Sequence, residues 1–303
     1  MYSGGWKSFW TALWTTLLVL TPLVGGTVLL GGYQARQRVR AAESQSGVPI
    51  AQPKAEDQMT LLVCVAGEKP GFVLVYLNAD QNSLNLLALP GQLSVPFGEG
   101  EATLQTCYNS AGPARCLQAL TQVLELPEGT RYLAIAPDTL SEICEPFGSL
   151  RVSFSGALTA QELETLGQSG AVQDWAPGPL HEFLTGLEEN ENIPPERQAA
   201  ARAAVWDSFF RQKLEKLPAA LPDALRSVSG NLLTDLTAGD YYILAETLEF
   251  LANQSAPVES SALPGLWEAE SGYYTIDERS RAAVQAFFNV SPSAGQSASA
   301  SAP

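Results

Sequence analysis

The chain of 303 residues is long enough for one large α/β domain or two small ones, and its 46% hydrophobic, 16% charged composition excludes a disordered protein. Lys7, Arg36, Arg38 and Arg40 lie in the first 40 positions, which hold no acidic residue. Positions 41–303 therefore carry 13 basic against 32 acidic side chains, a net −19 that sets aside nucleic acid and anionic bilayers as partners of the body.

Residues 1–8 read as a short cytoplasmic segment, and 9–30 (FWTALWTTLLVLTPLVGGTVLL) as an uncleaved transmembrane helix, uncharged over the length that crosses a hydrocarbon core. Trp6, Trp10, Trp14 and Tyr33 flank it as interfacial anchors, and Pro22 and Gly25-Gly26 are tolerated in such a helix. A cleaved signal peptide is the rival reading; the run is long for one and no A-x-A site follows. Three arginines after the span against Lys7 and the amino terminus before it favour a cytoplasmic body by the positive-inside rule.

Residues 34–56, with Pro49 and Pro53, read as a linker. A globular domain follows over about 57–290. TLLVCVA (60–66), FVLVYL (72–77) and LNLLAL (84–89) are strand-like runs, the last ending abruptly at Pro90-Gly91-Gln92. ARCLQALTQVLEL (114–126) has helical spacing, RYLAIA (131–136) reads as a strand, PDTLSEICEPFG as a short helix and SLRVSF (149–154) as a further strand. Thr159 and Glu162 form a capping box opening a helix to about Leu166, after which a Gly/Pro/Trp-containing connection runs to about Ile193. Residues 194–217 predict the clearest helix, with Pro195 in its first turn and a core-facing stripe of Ala203, Trp206, Phe210, Leu214 and Leu217. Thr237 and Asp240 cap another helix, GYYTI (272–276) is a strand, and Asp277 caps a last helix. The tail 291–303 is low-complexity and expected to be disordered. Alternating strands and helices imply an α/β fold, a three-layer α/β/α sandwich with a mixed central sheet.

Generic signatures of chemistry are scarce. The chain has no Walker loop, no G-x-G-x-x-G after a strand and no G-x-S-x-G. His181 is the single histidine and reads as a surface residue. The four cysteines lack C-x-x-C spacing, which argues against zinc; Cys64 reads as a buried hydrophobe, and Cys107 and Cys116 are spaced for a disulfide if the body is exported. Glu188, Glu189 and Glu191 offer carboxylates to a hard cation, but a solvated loop before a helix is the favoured reading, so no metal is predicted.

In order and spacing, the segments from MTLLVCV through LALPGQLSV, LQTCYNSAGPARCLQALTQVLEL, RYLAIAPDTLSEICEPFGSLRVSF, LTAQELETLGQSG, PPERQAAARAAVWDSFF, LLTDLTAGDYYILAETL and GYYTIDERSRAAVQAFF resemble the LytR-CpsA-Psr (LCP) family across nearly all of 57–290. The resemblance implies an extracytoplasmic α/β/α domain on one membrane span, against the arginine count. It also implies transfer of a glycopolymer from a polyprenyl-diphosphate carrier to the cell wall, with magnesium. Such a reaction needs arginines to clamp the diphosphate, an Asp for the ion or acceptor, and an apolar tunnel for the lipid.

Carried over, the family's Asp before the first strand falls at Asp57 or Gln58, and its Pro-Arg-Asp on Pro90, Gly91 and Gln92. Its Arg-x-Arg falls on Gln168 and Gly170, and its Asp-x-x-Arg-x-x-Arg-Gln on Glu191, Pro194, Arg197 and Gln198. Charged groups are thus lost at Gly91, Gln92, Gln168, Gly170 and Pro194, while Arg197, Gln198, Glu191 and Asp57 remain as candidate ligand-binding residues. Losing three phosphate contacts at roughly 1.5–3 kcal/mol each is incompatible with an intact diphosphate clamp. The same Arg197 has a structural reading, an ion pair with Glu191 or Asp207.

The leading expectation is a degenerate, non-catalytic family member, a pseudoenzyme that binds a polyprenyl-type lipid or an envelope partner in wall glycopolymer assembly and needs no cofactor. The alternatives are an active glycopolymer transferase with a site rebuilt from Asp57, Glu191 and Arg197, which alone would require magnesium, and a purely structural ectodomain with a solid core.

Overall fold

A computed structural model describes residues 58–288. The span expected over 9–30, the linker 34–56, Asp57 and the tail 291–303 lie outside the described residues. Among the described residues, no helix is long and apolar enough to cross a membrane.

The three apolar runs form the middle of one sheet. Strand β1 (Gln58–Val65) pairs antiparallel with β2 (Gly71–Asn78), and β2 antiparallel with β3 (Ser83–Leu89), in a register that sets Leu61 opposite Val75 and Val75 opposite Leu86. Residues facing both sides of these strands are buried, because helices cover both faces, and this is why they read as continuous apolar runs rather than alternating ones. The hairpin of β4 (Ser94–Phe97) and β5 (Gly100–Thr103) stands outside this sheet; within it β6 (Arg131–Ile135) lies parallel to β1, and β9 (Leu232–Thr234) antiparallel to β6. At the other edge β10 (Val258–Ala262) runs parallel to β3, giving a mixed six-stranded sheet ordered β10-β3-β2-β1-β6-β9.

One face, with Leu62, Cys64, Phe72 and Leu74, packs on helices α1 (Leu104–Leu124) and α8 (Glu278–Phe288). The opposite face, with Leu61, Val63, Val75 and Leu86, packs on α5 (Pro195–Lys213), α6 (Leu217–Ser227) and α7 (Ala238–Asn253). These are the three expected layers. Each fully buried leucine stabilises them by roughly 1.5–3 kcal/mol. Both predicted capping boxes form: Thr159 with Glu162 at the start of α3 (Ala160–Thr165), and Thr237 with Asp240 at the start of α7. Helix α1 begins ten residues earlier than its apolar spacing predicts and kinks at Gly112, whose φ of 77° is left-handed, immediately before Pro113.

Residues 171–193 differ from the sequence reading. They are not a connection: Val172–Trp175 is strand β8, paired antiparallel with β7 (Leu150–Ser153), and Pro177–Glu189 is a helix, α4. The prolines that looked like breakers occupy the first turn of α4, where a missing N–H costs nothing. This ribbon and helix form a third core in which Phe154 and Trp175 lie 4.8 and 4.9 Å from the ring of Phe183. Helix α5 is shared between cores, with Ala199 and Ala203 towards the sheet and Ala201 and Val205 towards the ribbon.

Candidate functional site

The sheet face carrying Leu61, Val63 and Val75 is not sealed by the helices above it. Between it and α4, α5, α6 and the short helix α2 (Pro137–Cys144) lies a cavity of about 190 Å³, walled by side chains such as Leu140, Trp206, Phe209 and Phe210. Trp206, Phe210 and Leu217, three members of the stripe predicted as core, line it. Leu217, Leu221, Leu225, Leu244 and Leu248 border both this cavity and a second one of about 280 Å³ lined by α6 and α7, and form the wall the two share. Left empty, the first cavity costs on the order of 4–5 kcal/mol relative to a filled interior. The sheet and the helices therefore do not close into a solid core on this face, and the space between them is lined mainly by apolar side chains.

One end of the cavity is polar. Arg202 and Glu188 line it, each almost wholly buried, and the Arg202 guanidinium donates to Glu188 Oε1 from Nε at 2.9 Å and also from Nη2. Its Nη1 donates to the carbonyls of Leu89 at 2.8 Å and Phe72 at 3.1 Å, at the end of β3 and the start of β2. Gly71 makes room for this: a Cβ there would stand 2.9 Å from Arg202 Nε, and four hydrogen bonds hold that side chain in place. The second Glu188 oxygen, Oε2, is buried without a hydrogen-bond partner. Lys69, also at this end, reaches Glu191 Oε1 and the Glu189 carbonyl at 3.4 Å. The bordering turn residues Gly67 and Glu68 are exposed, so this end meets solvent.

Residues singled out from the sequence lie elsewhere. Arg197 donates to Glu162 Oε2 and the Ala157 carbonyl, both at 3.2 Å, so its ion-pair partner is Glu162 and not Glu191 or Asp207. The buried Gln198 donates through Nε2 to the Leu187 and Asn190 carbonyls, fastening the end of α4 to the start of α5. Neither Arg197 nor Gln198 lines the cavity, and Glu191 is exposed on Lys69. Glu188, Glu189 and Glu191 do not converge on a point, because Glu188 turns inward to Arg202 while Glu191 faces out. At Gly91 a Cβ would fall 2.3 Å from Gln105 Nε2, so the Gln105 side chain occupies the space through which a larger residue would leave the backbone. Gln92 ties its carbonyl to the Tyr274 amide, Gln168 donates to the Leu166 carbonyl, Gly170 accepts from Gln173, and Pro194 caps α5.

Arg202 does not stand out in the sequence and Glu188 reads there as part of a solvated acidic loop, although a signal for the buried pair existed. Arg202 sits in QAAARAAVW with only apolar or amide neighbours at three and four residues, and Glu188 follows Phe183, Leu184 and Leu187 on one face of α4. Charges of opposite sign on two apolar helix faces mark a buried pair. His181 also differs from its reading as a surface residue. It is half-buried on α4, lines the cavity and meets Thr185 Oγ1 at 3.2 Å through Nε2. Burial pushes its pKa below the usual histidine value, opposed by Asp138 and Glu182. All four cysteines are free thiols, and Cys107 and Cys116, on either side of the α1 kink, are hydrogen-bonded neighbours without a disulfide between them. Cys144 lines the cavity, where burial raises its thiol to about 11.

No protein-family model and no curated protein matches the sequence. Solved structures do. TagT bound to LIIa-WTA aligns at 13% identity and TM-score 0.60, covering 81% of this chain and 96% of that one. A transcriptional regulator (EF0465) from Enterococcus faecalis aligns at 16% and 0.58, covering 76% and 86%. A LytR-Csp2A-Psr enzyme from Actinomyces oris aligns at 16% and 0.55, covering 78% and 91%. At these identities the shared feature is the fold, and the fold is LCP-like.

Proposed function

We propose that this chain is a single-pass cell-envelope protein whose LCP-like domain, carried outside the membrane, holds the apolar chain of a polyprenyl-type lipid in wall glycopolymer assembly without transferring a glycopolymer. One observation carries the reading: an apolar cavity leads to a polar end whose buried arginine is already neutralised by a buried carboxylate. Transfer from a diphosphate carrier needs several free cations. Here Arg202 is bound by Glu188 and two carbonyls, Lys69 is held by Glu191, and Arg197 is held by Glu162. The net −19 of residues 41–303 likewise disfavours a polyanionic donor.

The test uses the full chain in nanodiscs. A polyprenyl chain is expected to slow alkylation of Cys144, the cysteine in the cavity wall. With a glycan linked to polyprenyl diphosphate and magnesium added, no polyprenyl phosphate should be released; turnover would overturn the non-catalytic reading, and unprotected Cys144 would overturn the lipid reading.

A further inference from the structure

The charges at the polar end of the cavity bear on which lipid head group would sit there, a question that rests on the lipid-binding reading above. The lining carries two cations, Lys69 and Arg202, against three carboxylates, Glu68, Glu188 and Glu189. Of the five guanidinium N–H groups of Arg202, four are committed: Nε and one Nη2 hydrogen to Glu188, and both Nη1 hydrogens to the Phe72 and Leu89 carbonyls. A phosphate arriving there meets almost no vacant donor and a fixed like charge. What is vacant is an acceptor. Glu188 is 5% exposed, and its Oε2 lines up with no donor on the protein. A buried carboxylate oxygen without a partner is unfavourable, and a ligand that donates a hydrogen bond to it removes that cost. Further along α4, His181 sits two helical turns away, about 10 Å, and is neutral over a wider pH range than a solvated histidine, so the deeper wall adds no cation that would draw in an anionic head.

We propose that the cavity is built for a long-chain alcohol of the polyprenol type, with the hydroxyl donating to Glu188 Oε2 and the chain lying against the leucine- and phenylalanine-lined wall, and that it rejects the phosphorylated forms of the same chain.

The experiment compares farnesol, farnesyl phosphate, farnesyl diphosphate and the parent hydrocarbon at equal mole fraction in nanodiscs containing the full chain, reading the slowing of Cys144 alkylation by peptide mass spectrometry. Farnesol is expected to protect at concentrations at least tenfold lower than either phosphorylated form, with the hydrocarbon between them. Glu188→Gln, which leaves Arg202 without a counter-charge, is expected to shift the preference towards farnesyl phosphate by at least tenfold. If that variant does not fold, the wild-type series decides alone. Equal or tighter protection by farnesyl phosphate or diphosphate overturns the head-group assignment and leaves lipid binding standing. Absence of protection by all four compounds overturns the lipid reading itself.

Discussion

Replacing Arg202 by methionine tests whether the polar end of the cavity is a tightly coupled unit. The substitution keeps an unbranched apolar stem but removes four hydrogen bonds, two to Glu188 and one each to the Phe72 and Leu89 carbonyls. Glu188 is then a carboxylate at 5% exposure with no counter-charge, and two strand-end carbonyls lose their donor. Breaking one side of a buried pair costs about 3–5 kcal/mol, whereas replacing both partners by apolar residues of similar volume is often neutral or stabilising. Arg202→Met alone should therefore lower stability by about 3–5 kcal/mol, which for a domain of this size is a fall in Tm of roughly 6–20 °C. Arg202→Met combined with Glu188→Leu should recover most of that loss. Thermal unfolding of the four proteins in the cycle, followed by circular dichroism at neutral pH, gives the coupling directly. A double variant whose loss equals the sum of the single losses, or an Arg202→Met loss under about 1 kcal/mol, would refute the reasoning.

Other expectations concern single positions. Because burial depresses the His181 pKa, the unfolded chain takes up a proton before the folded one as pH falls, so the His181 contribution is present above about 6.5 and is lost below it; His181→Gln should lose less Tm than wild type between pH 7.5 and 5.5, and equal losses would disprove the linkage. Among the cysteines, Cys64, Cys107 and Cys116 are fully buried while Cys144 is partly accessible, so Cys144 alone should react with a small methanethiosulfonate in the native protein, slowly because its thiol too is raised, and all four should react after unfolding. Introducing the smallest side chain at Gly91 forces the Gln105 side chain to move; Gly91→Ala should cost roughly 1–3 kcal/mol in urea unfolding, and less in a Gln105→Ala background. Arg197→Ala removes a part-exposed pair with Glu162 and should leave Cys144 protection by lipid unchanged while costing at most about 1 kcal/mol.

Apolar strand runs, capping boxes and the long α5 helix were all legible in the sequence, because each is specified by near neighbours: period, cap and breaker lie within a few residues of one another. The edge strands β9 and β10 were not, since VESSA buries only Val258 well and gains its extended form from the parallel partner β3 rather than from its own pattern. The α4 region looks like a connection in the sequence because proline and glycine density at 177–179 is locally ambiguous, and only packing of Phe183 and Leu187 into the third core selects the helix. At Gly91, Gln92, Gln168, Gly170 and Pro194 the sequence shows uncharged residues, and the comparison with the resembled family at those positions stays an expectation.

Residue order alone therefore carries the layered α/β scaffold of the body and its acidity, because composition and near-neighbour patterns are enough for both. Tertiary structure decided the rest. Arg202 and Glu188 are 14 positions apart on different helices, and become one site only because the start of β2, the end of β3 and both helices meet at Gly71. Likewise, Trp206, Phe210 and Leu217 read as core from their spacing, which specifies the face they occupy. Whether that face closes on the sheet or stands off it, leaving about 190 Å³, depends on where five helices come to rest, and no local pattern encodes that.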